Sequence, residues 1–250
     1  MIIAGNWKMN CDSKQAINLV HEIIESNEIP IEANVIIFPP SILIPVIFPL
    51  IKNTTIKLGA QDCSLNDNGA YTGQISSDMI LDAGCEYVIL GHSERRSMCH
   101  ETSSDVSLKS FKAISKGLNV IICIGESLKE REDNSYLSIL ENQLSSSLPK
   151  SIGAKLEIND FQITIAYEPI WAIGSGKVAT SENIVEVHKF IKNCLNDYFG
   201  SPIKIPVIYG GSVNANNSIQ ILKLNSVDGV LVGGASLKSD DFIKIVKNSL

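Results

Sequence analysis

The sequence contains few cysteines and histidines, and neither residue type occurs at a spacing typical of a metal or redox site. The six cysteines are far apart and form no C-x-x-C pair, which argues against a zinc ribbon or a thiol redox motif. The four histidines include no H-E-x-x-H arrangement. We therefore expect reduced thiols, a cytoplasmic protein and no bound metal.

Positive charge is also scarce, since 21 Lys and Arg residues face 27 Asp and Glu residues, for a net charge of −6. This balance argues against a nucleic-acid or membrane partner, so any anion must be bound locally. The most apolar run, from Ile42 to Ile51, is interrupted by Pro45 and Pro49 and is shorter than the ~20 residues of a membrane-spanning helix. The N-terminus, MIIAGNWKMN, lacks the basic stretch of a secretion signal.

No linker rich in Pro, Gly or Ser divides the chain, although 250 residues could form one large core or two small ones. Eight apolar, β-branched runs are candidate strands, and they are nearly continuous rather than alternating. That pattern is typical of parallel strands covered by helices on both faces. The runs are Ile2–Ala4, Val35–Phe38, Ile56–Leu58, Tyr87–Leu90, Val120–Ile124, Ile163–Ala166, Val207–Tyr209 and Val230–Val232.

Segments between most of these runs show helical spacing of apolar residues. Examples are Tyr136, Leu140, Leu144 and Leu148; Ile184, Val187, Ile191 and Leu195; and Phe242, Ile245 and Ser249. Ser239 is a candidate cap for the last of these helices, with two acidic residues in its first turn. Eight strand–helix units in 250 residues give roughly 31 residues per unit, the length of a βα repeat.

We predict one closed (β/α)8 barrel over residues 1–250. The alternative, an open doubly wound sheet, would need a G-x-G-x-x-G turn after the first strand, and the sequence has none there.

Barrel enzymes carry their chemistry at the carboxyl ends of the strands. The first run leads into Asn6 and Lys8, and Lys8 is either an ordinary surface charge or a cation at the barrel mouth. The fourth run leads into His92, Glu94 and Arg95, which form either a structural ion-pair cluster or part of a site. If His92 lies at a helix N-terminus, the local positive potential favours a neutral imidazole that donates a hydrogen bond.

The sixth run ends at Glu168, a carboxylate at the barrel mouth that could abstract a proton from carbon next to a carbonyl. The residues after it are either a simple connection to a helix starting near Thr180 or a lid with a stiff start and flexible glycines. The candidate lid residues are Pro169, Ile170, Trp171, Ala172, Ile173, Gly174, Ser175, Gly176 and Lys177.

Paired glycines follow the last two runs, in IYGGSVN and LVGGASL. A glycine pair alone indicates only a tight turn. Two pairs at neighbouring barrel positions, together with Ser212, predict a phosphate site built from backbone N–H groups. A base, a neutral electrophile, a cation and a phosphate site together describe enolisation of a small phosphorylated carbonyl compound.

The motifs GNWKMN, GAYTGQIS, VILGHSERR, CIGE, AYEPIWAIGSGK, IYGGSV and LVGGASL occur in the order of the triosephosphate isomerase family, which the sequence closely resembles over essentially its whole length. The resemblance implies interconversion of dihydroxyacetone phosphate and glyceraldehyde 3-phosphate without a cofactor or metal. It implies that Glu168 is the base and His92 the neutral electrophile. Further implied roles are Lys8 as the cation, Asn6 as its polar neighbour, Glu94 as its supporting carboxylate, Gly174, Ser212, Gly233 and Gly234 as phosphate contacts, Tyr209 as the lid latch and Trp171 as a hinge residue.

The resemblance also implies a homodimer or larger assembly, in which GAYTGQIS inserts into the neighbouring subunit and brings Thr72 close to its site. The family usually has a glutamate where Gln74 stands, facing an arginine at the Arg95 position across the interface. Cys11 is expected near the same interface, where it is either an inert thiol or one whose modification splits the dimer. Two other functions stay open: a different sugar-phosphate isomerase, such as one acting on a larger substrate, and a non-catalytic phosphate-binding barrel.

Overall fold

A computed structural model of the chain describes residues 1–26, 28–149, 162–173, 178–200 and 204–250. In these ranges, eight parallel strands pair in chain order and the last strand pairs with the first, so the predicted closed barrel is confirmed. The strands are β1 Ile2–Asn6, β2 Asn34–Phe38, β3 Lys57–Ala60, β4 Tyr87–Leu90, β5 Asn119–Ile124, β6 Ile163–Tyr167, β7 Val207–Tyr209 and β8 Gly229–Val232.

The described residues also contain ten α-helices, most of them in the connections between consecutive strands. They are α1 Ser13–Glu25, α2 Ile44–Ile51, α3 Ser77–Asp82, α4 Ser93–Met98, α5 Ser103–Ser115, α6 Leu128–Glu132, α7 Tyr136–Ser147, α8 Ser181–Phe199, α9 Ser218–Leu222 and α10 Ser239–Lys247. None of the helices in the described ranges combines the length and the apolarity that crossing a bilayer requires.

Several predicted boundaries are wrong. β3 extends beyond the predicted run because Gly59 and Ala60 pair with β4. The cap of α10 is Lys238 rather than Ser239, whose hydroxyl instead donates a hydrogen bond to Glu22 at 2.6 Å. Helical spacing also overestimated two C-termini, since Leu148 and Ser249 lie just beyond α7 and α10. By contrast, α8 begins where predicted, capped by the Thr180 side chain.

Successive side chains along each strand point to opposite faces of the sheet, so the apolar side chains form two cores. One face packs against the helices, and the other fills the barrel interior with residues such as Ala4, Ile36, Phe38 and Ile89. The Phe38 ring lies so close to Gly59 that a Cβ at Gly59 would come within 2.2 Å of it. Side chains therefore fill the barrel interior, and the residues that follow the carboxyl ends of the strands line a pocket above it.

Candidate active site

A pocket of about 350 Å³ lies at the carboxyl ends of the strands. It gathers residues that are far apart in sequence, because the ends of neighbouring parallel strands meet on one face of the barrel. The lining residues are Asn6, Lys8, His92, Glu168, Ile173, Gly210, Gly211, Ser212, Val213, Asn214, Leu231, Gly233, Gly234, Ala235, Lys238 and Asp241.

The residues after β1 hold a lysine in an uncommon backbone conformation. Lys8 has φ 51°, a left-handed value that costs a residue with a Cβ about 1–3 kcal/mol. The buried Asn6 accepts a hydrogen bond from the Lys8 amide at 3.0 Å, and the Gln61 side chain donates to the Lys8 carbonyl at 2.8 Å. The Lys8 Nζ atom lies 2.7 Å from Glu94 Oε1, so the expected support of this cation by Glu94 has a direct geometric basis.

The buried His92 caps the N-terminus of α4. Its Nδ1 atom accepts a hydrogen bond from the Glu94 amide at 3.2 Å, which leaves the ring proton on Nε2. That Nε2 atom lies 3.1 Å from Glu168 Oε1. The ring is thus oriented as a neutral imidazole with a single N–H directed into the pocket.

Glu168 follows β6 directly and is only 2% exposed. Its second oxygen, Oε2, accepts a hydrogen bond from the Ser93 amide at 2.9 Å. Two glycines make room for it, since a Cβ at Gly125 would lie 1.8 Å from the Glu168 carbonyl oxygen and a Cβ at Gly210 would lie 2.9 Å from Glu168 Cγ. The carboxylate is therefore shielded from water and held by donors from the β4–α4 connection.

The predicted phosphate residues Ser212, Gly233 and Gly234 line the same pocket. A Cβ at Gly233 would make only an ordinary contact with Lys8, and one at Gly234 would meet nothing within 4 Å. Packing therefore does not explain these two glycines, which is consistent with the predicted approach of an anion to bare backbone N–H groups. The Ser212 hydroxyl donates a hydrogen bond to the Ala172 carbonyl at 2.5 Å, which links this loop to the candidate lid.

The candidate lid is described only in its first part. After Pro169, a short 3₁₀ turn at Ile170–Ala172 leads to Ile173, which lines the pocket. The other four predicted lid residues, Gly174, Ser175, Gly176 and Lys177, lie outside the described residues.

Tyr209, the expected latch, is fully buried, and a Cβ at Gly211 would come within 2.1 Å of its hydroxyl. Burial raises the pKa of Tyr209 to about 12, although the nearby Ala179 amide acts in the opposite direction. Within the described part of the chain, its hydroxyl has no partner at hydrogen-bond geometry.

Sequence reasoning missed Glu126, although it belongs to the CIGE motif. This fully buried carboxylate accepts hydrogen bonds from the Tyr167 hydroxyl and the Trp171 indole N–H, both at 2.9 Å. Burial raises its pKa, and the Trp171 and Tyr167 hydrogen bonds oppose that shift. Glu126 therefore anchors the start of the candidate lid. An available signal was an acid following an apolar strand, the pattern that singled out Glu168.

The residues expected at a subunit interface lie outside this pocket. Gln74 and Arg95 line a second cavity of about 530 Å³, where Arg95 pairs with Asp62 at 2.8 Å and with Glu101 at 3.4 Å. The Ser64 hydroxyl donates a hydrogen bond to Gln74 Oε1.

The two remaining residues expected at the interface line neither cavity. Thr72 is exposed, whereas Cys11 is half-buried with φ 72°. Burial, and then the charge of Asp12, raises the pKa of Cys11, which disfavours the reactive thiolate.

Comparison with known proteins agrees with this geometry. The family model described as triosephosphate isomerase matches residues 1–249. A triosephosphate isomerase of Chloroherpeton thalassium is 42% identical over 251 residues, covering 99% of this chain and 98% of the relative. One from Alkaliphilus oremlandii is 43% identical over 247 residues, with 98% of each chain covered.

A solved structure of a triosephosphate isomerase has the same fold as this chain. The crystal structure of triosephosphate isomerase from Bartonella henselae superposes with a TM-score of 0.87 at 40% identity, covering 99% of this chain and 98% of that one. Both the sequence and the fold are thus matched over nearly the full length. The chain belongs to the triosephosphate isomerase family.

Proposed function

We propose that this isomerase interconverts dihydroxyacetone phosphate and D-glyceraldehyde 3-phosphate, as a step of glycolysis and gluconeogenesis. One observation carries the proposal: the buried carboxylate of Glu168 lies 3.1 Å from His92 Nε2 in a pocket that also contains Lys8. A base, a neutral hydrogen-bond donor and a cation are what proton transfer next to a carbonyl requires.

In the proposed reaction, Glu168 takes a proton from C1 of dihydroxyacetone phosphate. The electron pair of that C–H bond forms the C1–C2 double bond, and the former carbonyl oxygen on C2 gains negative charge. His92 donates its Nε2–H to this oxygen, and Lys8 stabilises the charge. Protonation of C2 by Glu168, with transfer of the hydroxyl proton on the C1 oxygen to His92 Nε2, gives the aldehyde and restores the neutral imidazole. In the present structure Glu168 Oε2 accepts a hydrogen bond from the Ser93 amide and Oε1 lies 3.1 Å from His92 Nε2, so substrate must displace at least one of these contacts.

The phosphate group is proposed to bind backbone N–H groups at Gly174, Gly233 and Gly234 and the loop at Ser212. Residues 169–177 close over the substrate, with Trp171 at the hinge and Tyr209 as the latch. Closure excludes water and holds the enediolate in a geometry that disfavours elimination of phosphate. The hydrogen bonds from Trp171 to Glu126 and from Ser212 to Ala172 connect the start of this segment to the barrel.

The direct test is a coupled assay of both reaction directions, run in D₂O so that product labelling is followed by mass spectrometry. We expect rapid turnover and deuterium at the carbon that Glu168 reprotonates, because a shielded base still exchanges part of its proton with solvent. A correctly folded protein without turnover would overturn the isomerase proposal. A non-catalytic phosphate-binding barrel would then be the better account.

We also propose that residues 1–250 form a single barrel domain that works as a cytoplasmic homodimer. The cavity lined by Gln74 and Arg95 would receive the Gln74 loop of a second copy. Arg95 is already paired with Asp62 and Glu101, so a neutral Gln74 adds a weaker contact than a carboxylate would.

Replacing Gln74 by glutamate is expected to lower the dimer dissociation constant about tenfold, because a charged pair with Arg95 replaces a neutral-to-charged hydrogen bond. Analytical ultracentrifugation over a dilution series measures this constant. Gln220→Glu is the matched control, since it adds the same charge at an exposed position on α9. An unchanged constant for Gln74→Glu would contradict this account of the interface.

A further inference from the structure

The charges around the pocket leave little positive potential for an anionic substrate. Glu168 is a carboxylate, and the positive charge of Lys8 is balanced by Glu94 at 2.7 Å. Asp241 adds a second carboxylate to the lining. With a net charge of −6 on the chain, the approach of a phosphate dianion is disfavoured unless another cation lies at the pocket.

Lys238 is that cation. It lines the pocket together with Gly233 and Gly234, is exposed, and forms no ion pair with any described residue. Its position is well anchored, because its carbonyl accepts a hydrogen bond from the amide of the fully buried Phe242 at 2.9 Å. Its side chain makes no hydrogen bond that caps α10, so the charge can be removed without loss of a helix contact.

We propose that Lys238 is a positioning residue that attracts the phosphate group of the substrate to the glycine loops, and that Asp241 moderates this attraction. The identity of the substrate rests on the function proposed above, whereas attraction of a phosphate dianion does not. An exposed cation acts through solvent and is therefore screened by salt, with a Debye length that falls from about 30 Å at 0.01 M to about 8 Å at 0.15 M. Salt dependence is thus the signature of this role.

The test compares Lys238→Met with Lys244→Met, which removes the same charge from an exposed position on α10 outside the pocket. At about 0.01 M ionic strength we expect Lys238→Met to lower kcat/KM roughly 3- to 10-fold, with a smaller change in kcat, because steering acts on encounter. The difference is expected to shrink as salt is raised, and Asp241→Asn is expected to raise kcat/KM. Equal kcat/KM for the two lysine variants at every ionic strength would overturn the proposal.

Inhibition and direct binding of inorganic phosphate separate this proposal from the proposed function. We expect Lys238→Met to weaken phosphate binding at low salt and Lys244→Met to leave it unchanged. If Lys238→Met alone weakens phosphate binding but the folded wild type does not isomerise triose phosphates, the isomerase function is overturned and the role of Lys238 is supported. Phosphate binding that is insensitive to Lys238, in an active isomerase, would overturn the role of Lys238 alone.

Discussion

Replacing Glu168 by glutamine is expected to lower kcat by roughly 10²- to 10⁴-fold, since general-base catalysis contributes about this much and an amide cannot take up the substrate proton. The effect should appear in both reaction directions, because the same carboxylate is proposed to move the proton both ways. Steady-state rates at saturating substrate measure it. A folded variant with turnover near that of the wild type would eliminate Glu168 as the base.

The same substitution also disturbs the resting site. Glu168 Oε2 accepts a hydrogen bond from the Ser93 amide and Oε1 lies 3.1 Å from His92 Nε2, whereas glutamine has only one terminal oxygen that can accept. Its NH₂ group would then face a donor, at a cost of about 1–3 kcal/mol. The rate comparison therefore needs the folded fraction of each protein, measured by circular dichroism. Glu168→Asp is the matched control, because it retains the charge and both acceptors but withdraws the base by one methylene.

Acidification from pH 6.5 to pH 4 is expected to remove about 3 kcal/mol of stability through His188 alone. This residue of α8 is fully buried, and burial lowers its pKa from 6.5 to about 4. Its Nδ1 atom donates to the Ser226 carbonyl at 3.2 Å, and its ring packs edge-on against Tyr167. Between these pH values His188 of the unfolded chain binds a proton that His188 of the folded protein does not. The free energy of unfolding therefore decreases as the pH is lowered.

Urea unfolding of wild type and His188→Gln over this pH range isolates that contribution, since the carboxylates that titrate in the same range are common to both proteins. The variant is expected to be less stable near pH 7 but to lose about 3 kcal/mol less than wild type on acidification. His21→Gln, at an exposed position on α1, is the control and should follow the wild type. Parallel curves for wild type and His188→Gln would show that His188 does not titrate as described. Neither substitution removes a member of the nearby Lys192–Asp228 ion pair, whose atoms lie 2.8 Å apart.

The strands could be predicted because each is an apolar run that the barrel buries on both faces. All eight runs overlap strands, and the order of elements follows from the repeat. The boundaries depended on partners that the local sequence does not reveal. β3 continues through Gly59 and Ala60 because β4 offers backbone partners, and Ser239 does not cap α10 because its hydroxyl donates to Glu22 instead.

In the candidate site, too, some residues could be predicted from the sequence and others could not. Glu168, His92 and Lys8 could be proposed from sequence because each follows a predicted strand, and strand ends meet at the barrel mouth. Glu126 and Lys238 were missed because their importance comes from contacts and position. Glu126 binds Tyr167 and Trp171 through side-chain hydrogen bonds, and Lys238 reaches the pocket from the far end of the chain.

The sequence by itself determined the barrel, the family and the chemical groups available at the strand ends, since these depend on apolar periodicity and on residue types in fixed order. Only the tertiary structure decided how those groups are oriented. The proton of His92 is on Nε2 because the Glu94 amide occupies Nδ1, and Glu168 is shielded because Gly125 and Gly210 leave room for it. Hydrogen-bond partners and close backbone contacts are set by distances between strands, and such distances exist only once the barrel has closed.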